Sequence, residues 1–319
     1  MTLVNELSNR RRNYAVCGLV RSALFQKCTE AAQYVMEEYS EEFFVEIFLE
    51  MPCEFYSRRE QLLSSKKIED GDMDVIVLVG TDNHTGPATG EGGAISGEDF
   101  LKMIERETSF HTFNIPAERP DSYENMAHRS WKNFLRDRGN SYCWMEITIG
   151  EMVFGRITFE LYSRIVPHTC SNFWHLCKGD LSREGTTEGE EKPPVLSYKK
   201  STFFRTLYGA WIMGGDISGG DGRGGYSIYG RYFPNESYAI PHDAAGVLGM
   251  CNDGGDTNAS SFYITMKAMQ WMNGRYVAFG RVMDGMDVVN AIHSVGVKHN
   301  QCPEKVITIS DCGVIDLTE

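Results

Sequence analysis

The sequence contains no CxxC pair. Its nine cysteines, Cys17, Cys28, Cys53, Cys143, Cys170, Cys177, Cys251, Cys302 and Cys312, are odd in number and scattered. That pattern suits reduced thiols in a cytosolic compartment and argues against a disulfide framework or a zinc site. Long apolar runs are missing too. The longest purely aliphatic stretch, Val75–Val79, falls far short of the roughly 20 residues a membrane helix needs. Positive charge is scarce: 31 Lys and Arg stand against 44 Asp and Glu, for a net charge of −13. With a pI near 5.1, a general nucleic-acid binder is not expected, because phosphate binding needs a basic face. Arg10, Arg11 and Arg12 form the one basic run and are read as a solvated start. The opening MTLVNELSNRRR lacks the apolar segment of a secretory signal, so none is expected. The glycosylation-type patterns at Asn235 and Asn258 are then chance matches. His175 and His242 have no partners at metal-ligand spacing and are read as structural.

What is present falls into two textures. A chain of 319 residues exceeds one ordinary domain and suits two. A content of 42% hydrophobic and 24% charged residues is that of a globular protein. Tyr14–Val20, Phe43–Leu49 and Asp74–Val79 are short β-branched or aromatic runs and read as strands. Between the first two, Ala32, Val35, Met36 and Tyr39 fall at i, i+3, i+4 and i+7, an amphipathic helix with Thr29 as its expected N-cap. Strand, helix and strand predict a βαβ unit and a parallel sheet. Further helices are expected over Ser57–Lys66 and Gly97–Glu107. Gly80–Gly97 is glycine-rich without apolar period and reads as a loop. Its GxGG element follows a strand, as a phosphate cradle does, but it lacks the lysine and Ser/Thr of one. Residues 1–110 are therefore expected to form an α/β domain, and 111–140, with Pro116, Pro120 and a short helix at Trp131–Arg138, a linker.

From residue 141 to 319 the pattern changes. Tyr142–Ile149 and Val153–Leu161 alternate as a hairpin does, and Pro167–Leu176 has helical spacing at Cys170, Phe173, Trp174 and Cys177. The rest is short strands divided by glycines, which predicts a closed β-barrel capped by helices. Ser182–Pro194 reads as an acidic insertion in a surface loop.

Three stretches in register make the second domain specific: FFRTLYGAWIMGGD (Phe203–Asp216), GVLGMCNDGGDTNASSFYIT (Gly246–Thr265) and WMNGRYVAFGRVMDGMDVV (Trp271–Val289). They resemble the cyclophilin family of peptidyl-prolyl isomerases, and the resemblance covers Ser141–Leu317. It implies an eight-stranded barrel and no cofactor or metal. The first domain resembles a thioredoxin-like or dehydrogenase-like α/β domain. In a redox thioredoxin fold a CxxC would open the first helix. Here only Cys28 lies near that place, and a single thiol cannot cycle a dithiol. Cys28 is read as a packed or capping residue.

The chemistry of the family is conformational. An X–Pro bond has a rotational barrier of about 18–20 kcal/mol. A cation beside the imide nitrogen of the twisted bond stabilises the transition state selectively. The resemblance places Arg205 in the position of the catalytic arginine, Trp271 at the pocket rim, and Asn252 where an asparagine bonds the substrate backbone. The departures are more numerous. Ala210 and Trp211 stand where phenylalanine and methionine line the proline pocket, and Met213 replaces the glutamine that clamps the substrate carbonyl. Cys251 stands for alanine, Ser261 for glutamine, Tyr263 for a pocket phenylalanine, Met272 for leucine and Tyr276 for histidine.

Two arrangements stay open at this point: a deeper, emptier pocket, or Trp211 folded across it. Arg205 has a second reading as an anchor of the barrel through a buried carboxylate, and Trp271 one as plain core. Gly219–Gly225 looks phosphate-binding, but turn geometry in the family's glycine-rich hairpin explains it.

The arrangement resembles divergent cyclophilin-like proteins of ciliated cells. It implies a cytoplasmic binding or structural module for proteins or extended proline-containing peptides. The axoneme of a cilium or flagellum, with its microtubule proteins, is the implied setting. No nucleic-acid or membrane partner is expected. The alternatives are a weak isomerase using Arg205 and, more remotely, a redox or chaperone-like first domain.

Overall fold

The structure is a computed structural model that describes residues 11–68, 73–80, 93–112, 116, 119–183 and 195–317. Arg10, most of the glycine-rich loop with its GxGG element, and nearly all of the acidic insertion lie outside the described residues. The chain divides into two compact units, Met1–Asp137 and Arg138–Glu319.

In the first unit the elements run β1 (Arg12–Leu19), α1 (Ala23–Glu38), β2 (Phe43–Glu50), α2 (Pro52–Ser64), β3 (Val75–Val79), β4 (Ala94–Ser96) and α3 (Gly97–Glu107). The strand order is β2-β1-β3-β4. β1 and β2 are parallel as expected, but β3 runs antiparallel to β1 and β4 antiparallel to β3. The expected parallel sheet is thus corrected to a mixed one. A dehydrogenase-like sheet is mostly parallel, whereas two of the three pairings here are antiparallel. β1 is buried on both faces, and its alternation shares it between two cores. Tyr14 and Val16 pack with Phe25, Cys28 and Val35 of α1 and Phe100 and Ile104 of α3. Ala15, Cys17 and Leu19 pack with Phe55 and Leu62 of α2.

Several local expectations are corrected. The cap of α1 is Ser22, whose hydroxyl accepts from the Phe25 N–H at 3.4 Å; Thr29 lies inside the helix. α2 begins at Pro52, a residue that starts helices well because its missing N–H is an orphan there anyway. Ala94–Ser96, inside the expected loop, pairs with β3. Arg12 is not merely solvated: it pairs with Glu107 and lies over the Phe43 ring. In the span read as a linker, α4 runs over Tyr123–Arg138. The Tyr123 hydroxyl bonds Glu30, and the Ser130 hydroxyl bonds the Gln26 side chain at 3.4 Å.

The second unit contains β5 (Ser141–Ile149), β6 (Met152–Leu161), α5 (Pro167–Lys178), β7 (Leu181–Ser182), β8 (Val195–Leu196), β9 (Phe203–Leu207), β10 (Trp211–Gly214), β11 (Val247–Met250), β12 (Phe262–Thr265), β13 (Ala278–Asp284), α6 (Met286–His293) and β14 (Ile307–Val314). β7 and β8 pair only with each other. The other eight strands form an antiparallel sheet ordered β14-β5-β6-β13-β11-β12-β10-β9. Hydrogen bonds from Lys200 N–H to the Ile309 carbonyl and from Ile309 N–H to that of Ser201 bring its ends together. The barrel interior is packed solid. Phe173 of α5 meets Phe159, Tyr198, Phe262 and Phe279 with ring centroids 5.0–5.6 Å apart. A ligand must therefore bind on the outside of this barrel.

Two carboxylates are buried in the second unit, Glu160 and Asp216, and side chains hold the first. Glu160 of β6 accepts from Arg138 at 2.9 Å, Asn140 at 2.9 Å and Arg281 at 2.8 Å. Burial alone raises its pKa, but these partners more than offset that and hold it below the usual carboxylate range.

Candidate functional site

The strand register assembles the site. Arg205 opposes Met213, Met213 opposes Tyr263, and Tyr263 opposes Gly249. Residues opposed across a ladder share a face, so these four form one row across β9, β10, β12 and β11. Ile212, between Trp211 and Met213, points the other way into the barrel core. On the outer face Ala210, Tyr263, Met269 and Met272 form a separate buried cluster. Leu207, Trp211, Met213, Cys251 and Tyr276 pack against it.

The place expected to receive proline is filled by the chain itself. Tyr263 is 1% exposed, Met272 3% and Ala210 8%. Trp211 packs on this cluster, with its ring centroid 5.9 Å from that of Trp271, so an emptier pocket is not what forms. Trp271 is 50% exposed and sits at the rim on a short 3₁₀ turn, not in a core. Its ring meets Tyr276 at 6.2 Å, and Tyr276 meets Tyr263 at 6.1 Å, both edge to face.

Arg205 is exposed, and among the described residues no carboxylate pairs with it. The barrel-anchor reading is thereby corrected: the buried carboxylate paired with arginines is Glu160, held by Arg138 and Arg281. Burial pushes the Cys251 thiol up, Asp253 adds to this, and Arg205 opposes it. Cys251 N–H donates to the Ser261 carbonyl at 2.9 Å. The Asn252 side-chain carbonyl accepts from Gly254 N–H at 3.2 Å. Trp211 Nε1, Asn252 Nδ2 and Ser261 Oγ are buried with no hydrogen-bond partner among the described residues.

His242, read from the sequence as structural only, belongs to this site. It is fully buried, with Nε2 at 2.6 Å from the Tyr263 hydroxyl and Nδ1 at 2.9 Å from Asn273 Oδ1. Asn273 Oδ1 also accepts from the His242 main-chain N–H at 2.8 Å. An acceptor at Nδ1 places the proton there, leaving Nε2 to accept from the tyrosine. Burial lowers the His242 pKa, opposed by the Asn273 hydrogen bond and by Asp243. Burial likewise pushes the Tyr263 phenol well up. Two signals point to the pair: a buried tyrosine needs a hydrogen-bond partner, and an isolated glycine in an apolar strand marks a close approach.

The glycine-rich segment Gly219–Gly225 is turned inward on the chain's own carboxylate. Asp216 accepts main-chain N–H bonds from Ser218, Gly219, Gly222 and Gly224 at 2.9–3.1 Å. A phosphate would find that position taken. His175 lies 2.8 Å from Asp180. Among the described residues no group of three His, Cys, Asp or Glu side chains converges as a metal site would. No helix among them is long and apolar enough to cross a membrane.

Comparison with known proteins agrees with this architecture. Residues 144–314 match the cyclophilin type peptidyl-prolyl cis-trans isomerase/CLD family. The mouse protein named probable inactive peptidyl-prolyl cis-trans isomerase-like 6 is 39% identical over 198 residues, 62% of this chain and 61% of its own length. The bovine protein of that name is 32% identical over 290 residues, covering 90% of this chain and 88% of its own. Human NK-tumor recognition protein is 41% identical over 173 residues, 54% of this chain but 12% of its own. With its outward-facing Arg205 row on an eight-stranded antiparallel barrel, the chain belongs to the cyclophilin type peptidyl-prolyl isomerase family.

Proposed function

We propose that the Arg205 face is a binding surface for extended, proline-containing segments of other proteins, and that it turns proline over far more slowly than an ordinary cyclophilin. The single observation that carries this reading is the row Arg205–Met213–Tyr263. The cation is exposed, but its neighbour is a thioether, which has no N–H to donate. The residues that would receive the pyrrolidine ring bury one another. Catalysis needs proline held against the cation within a fraction of an ångström. Losing one neutral hydrogen bond costs about 0.5–1.5 kcal/mol, and several such changes in one site remove most of a modest acceleration. The name "probable inactive" carried by the mouse and bovine relatives supports the same reading. The protein is then a cytoplasmic pseudoenzyme that serves as an adaptor in an assembly such as a ciliary or flagellar axoneme, with microtubule proteins among its partners.

A weak isomerase is the second reading, favoured by the exposed guanidinium of Arg205, which no carboxylate among the described residues pairs. A proline-isomerisation assay separates the two. Wild type and Arg205→Ala should both run at background. The combined Ala210→Phe, Trp211→Met, Met213→Gln and Tyr276→His variant should gain activity. Strong wild-type turnover lost in Arg205→Ala would overturn the inactive reading.

A further inference from the structure

A tyrosine in the pocket raises a question that the strand row answers. Its hydroxyl must find both space and a partner, and the space comes from the next strand. A Cβ built on Gly249 would lie 2.2 Å from the Tyr263 Oη, 2.3 Å from Cζ and 2.8 Å from Cε2. These are the three nearest atoms to it, and all belong to this one side chain. The Tyr263 ring therefore lies down across β11 rather than standing off the sheet, and its hydroxyl reaches His242. Gly249 itself does not have the left-handed φ that only glycine adopts easily. What excludes a side chain there is the ring, not the backbone.

From this juxtaposition we infer that Gly249 and His242 are positioning residues that hold Tyr263 flat and so keep the pocket filled. Gly249 supplies the room, and His242 supplies the anchor through its Nε2. With the ring lying down, Met269, Met272 and Ala210 pack with it in one buried cluster. Any side chain at position 249 forces the ring to move within that cluster. The ring's movement then passes to the rim, because Tyr263 touches Tyr276, and Tyr276 touches Trp271. Position 249, acting through the Tyr263 ring, thus sets the shape that Arg205 and Trp271 present. The inference rests on the Arg205 face being the binding surface only for its consequence, not for the packing itself.

A double-mutant cycle on the full chain tests it, read by near-UV circular dichroism, thermal unfolding and binding of a proline-containing peptide. Gly249→Ala alone overpacks the site and should lower the barrel's Tm by about 5 °C, with a changed near-UV signal. In Tyr263→Leu, which lacks the three clashing atoms, the same alanine should be neutral or stabilising because it fills the void left by the ring. The reversal of sign is the expected result. A Gly249→Ala protein that does not fold, beside a folded double variant, gives the same answer. Equal losses in both backgrounds would overturn the role of Gly249. For the anchor, His242→Ala should lower Tm in wild type and change it much less in Tyr263→Phe; equal effects would remove His242 from the inference. If wild type binds no peptide, the binding-surface reading fails, while the two cycles still decide the packing.

Discussion

Cys28 and Arg205 stand where the two units, by resemblance, would carry their chemistry, and they differ in how that chemistry is altered. Cys28 is fully buried in α1, its thiol 3.4 Å from the Gly97 carbonyl. Burial pushes its pKa up to about 12. The group survives, but burial disfavours the thiolate through which it would react. Arg205 remains exposed and, among the described residues, has no carboxylate partner. There the reactive group is kept, while Met213, Trp211 and Tyr263 change what stands around it. One site differs at its central atom and the other at its walls, and the two cases make opposite demands on experiment.

The largest effect is expected at Cys28. At pH 8 its thiolate population is about a thousandfold below that of a thiol titrating at 9.0, so a thiol reagent should label it slowly, and insulin reduction should stay at background. Rapid labelling lost in Cys28→Ser would break the contrast. Next comes the arginine pairing that Arg205 lacks. Arg138 and Asn140 both bond Glu160, so a barrel fragment beginning at Ser141 forfeits two partners of a buried carboxylate. Truncation should lower stability by about 3 kcal/mol relative to a fragment beginning at Arg138, measured by urea unfolding. Equal midpoints would show that Arg281 alone suffices.

His242 gives a smaller, pH-dependent effect. Burial lowers its folded pKa, so the unfolded chain binds the proton more readily. The contribution to stability is full above about pH 6.5, the unfolded value, and is lost as pH falls through the folded one. Thermal unfolding of Tyr263→Phe against the Tyr263→Phe, His242→Phe double variant should show this slope only in the histidine form. Smallest is Arg205→Ala, expected to change stability by less than about 0.5 kcal/mol. A larger loss would mean that Arg205 holds the fold after all.

The barrel was readable because its motifs fix register. Glycine corners, the alternation of β5 and β6, and the helix from Pro167 all follow from short-range periodicity. The first unit was readable as α/β, but the direction of β3 was not. Val75–Val79 is apolar throughout, and a strand buried on both faces carries no pattern that distinguishes a parallel from an antiparallel neighbour. Ser22 caps α1 well ahead of the apolar period, which begins only at Ala32 and so points to Thr29 instead. Ala94–Ser96 was too short and too close to glycines to stand out from a loop.

The sequence by itself determined which side chains the site would contain: Arg205, Ala210, Trp211, Met213, Tyr263, Trp271 and Tyr276 are placed by three motifs in register. The tertiary structure decided what they do to one another. That Trp211 lies against Trp271, that Tyr263 lies across Gly249 to reach His242, and that Arg138 rather than Arg205 holds Glu160 are contacts between residues far apart in the chain. Local propensity cannot encode them. They arise only when closing the barrel brings those strands and loops within van der Waals and hydrogen-bond distance.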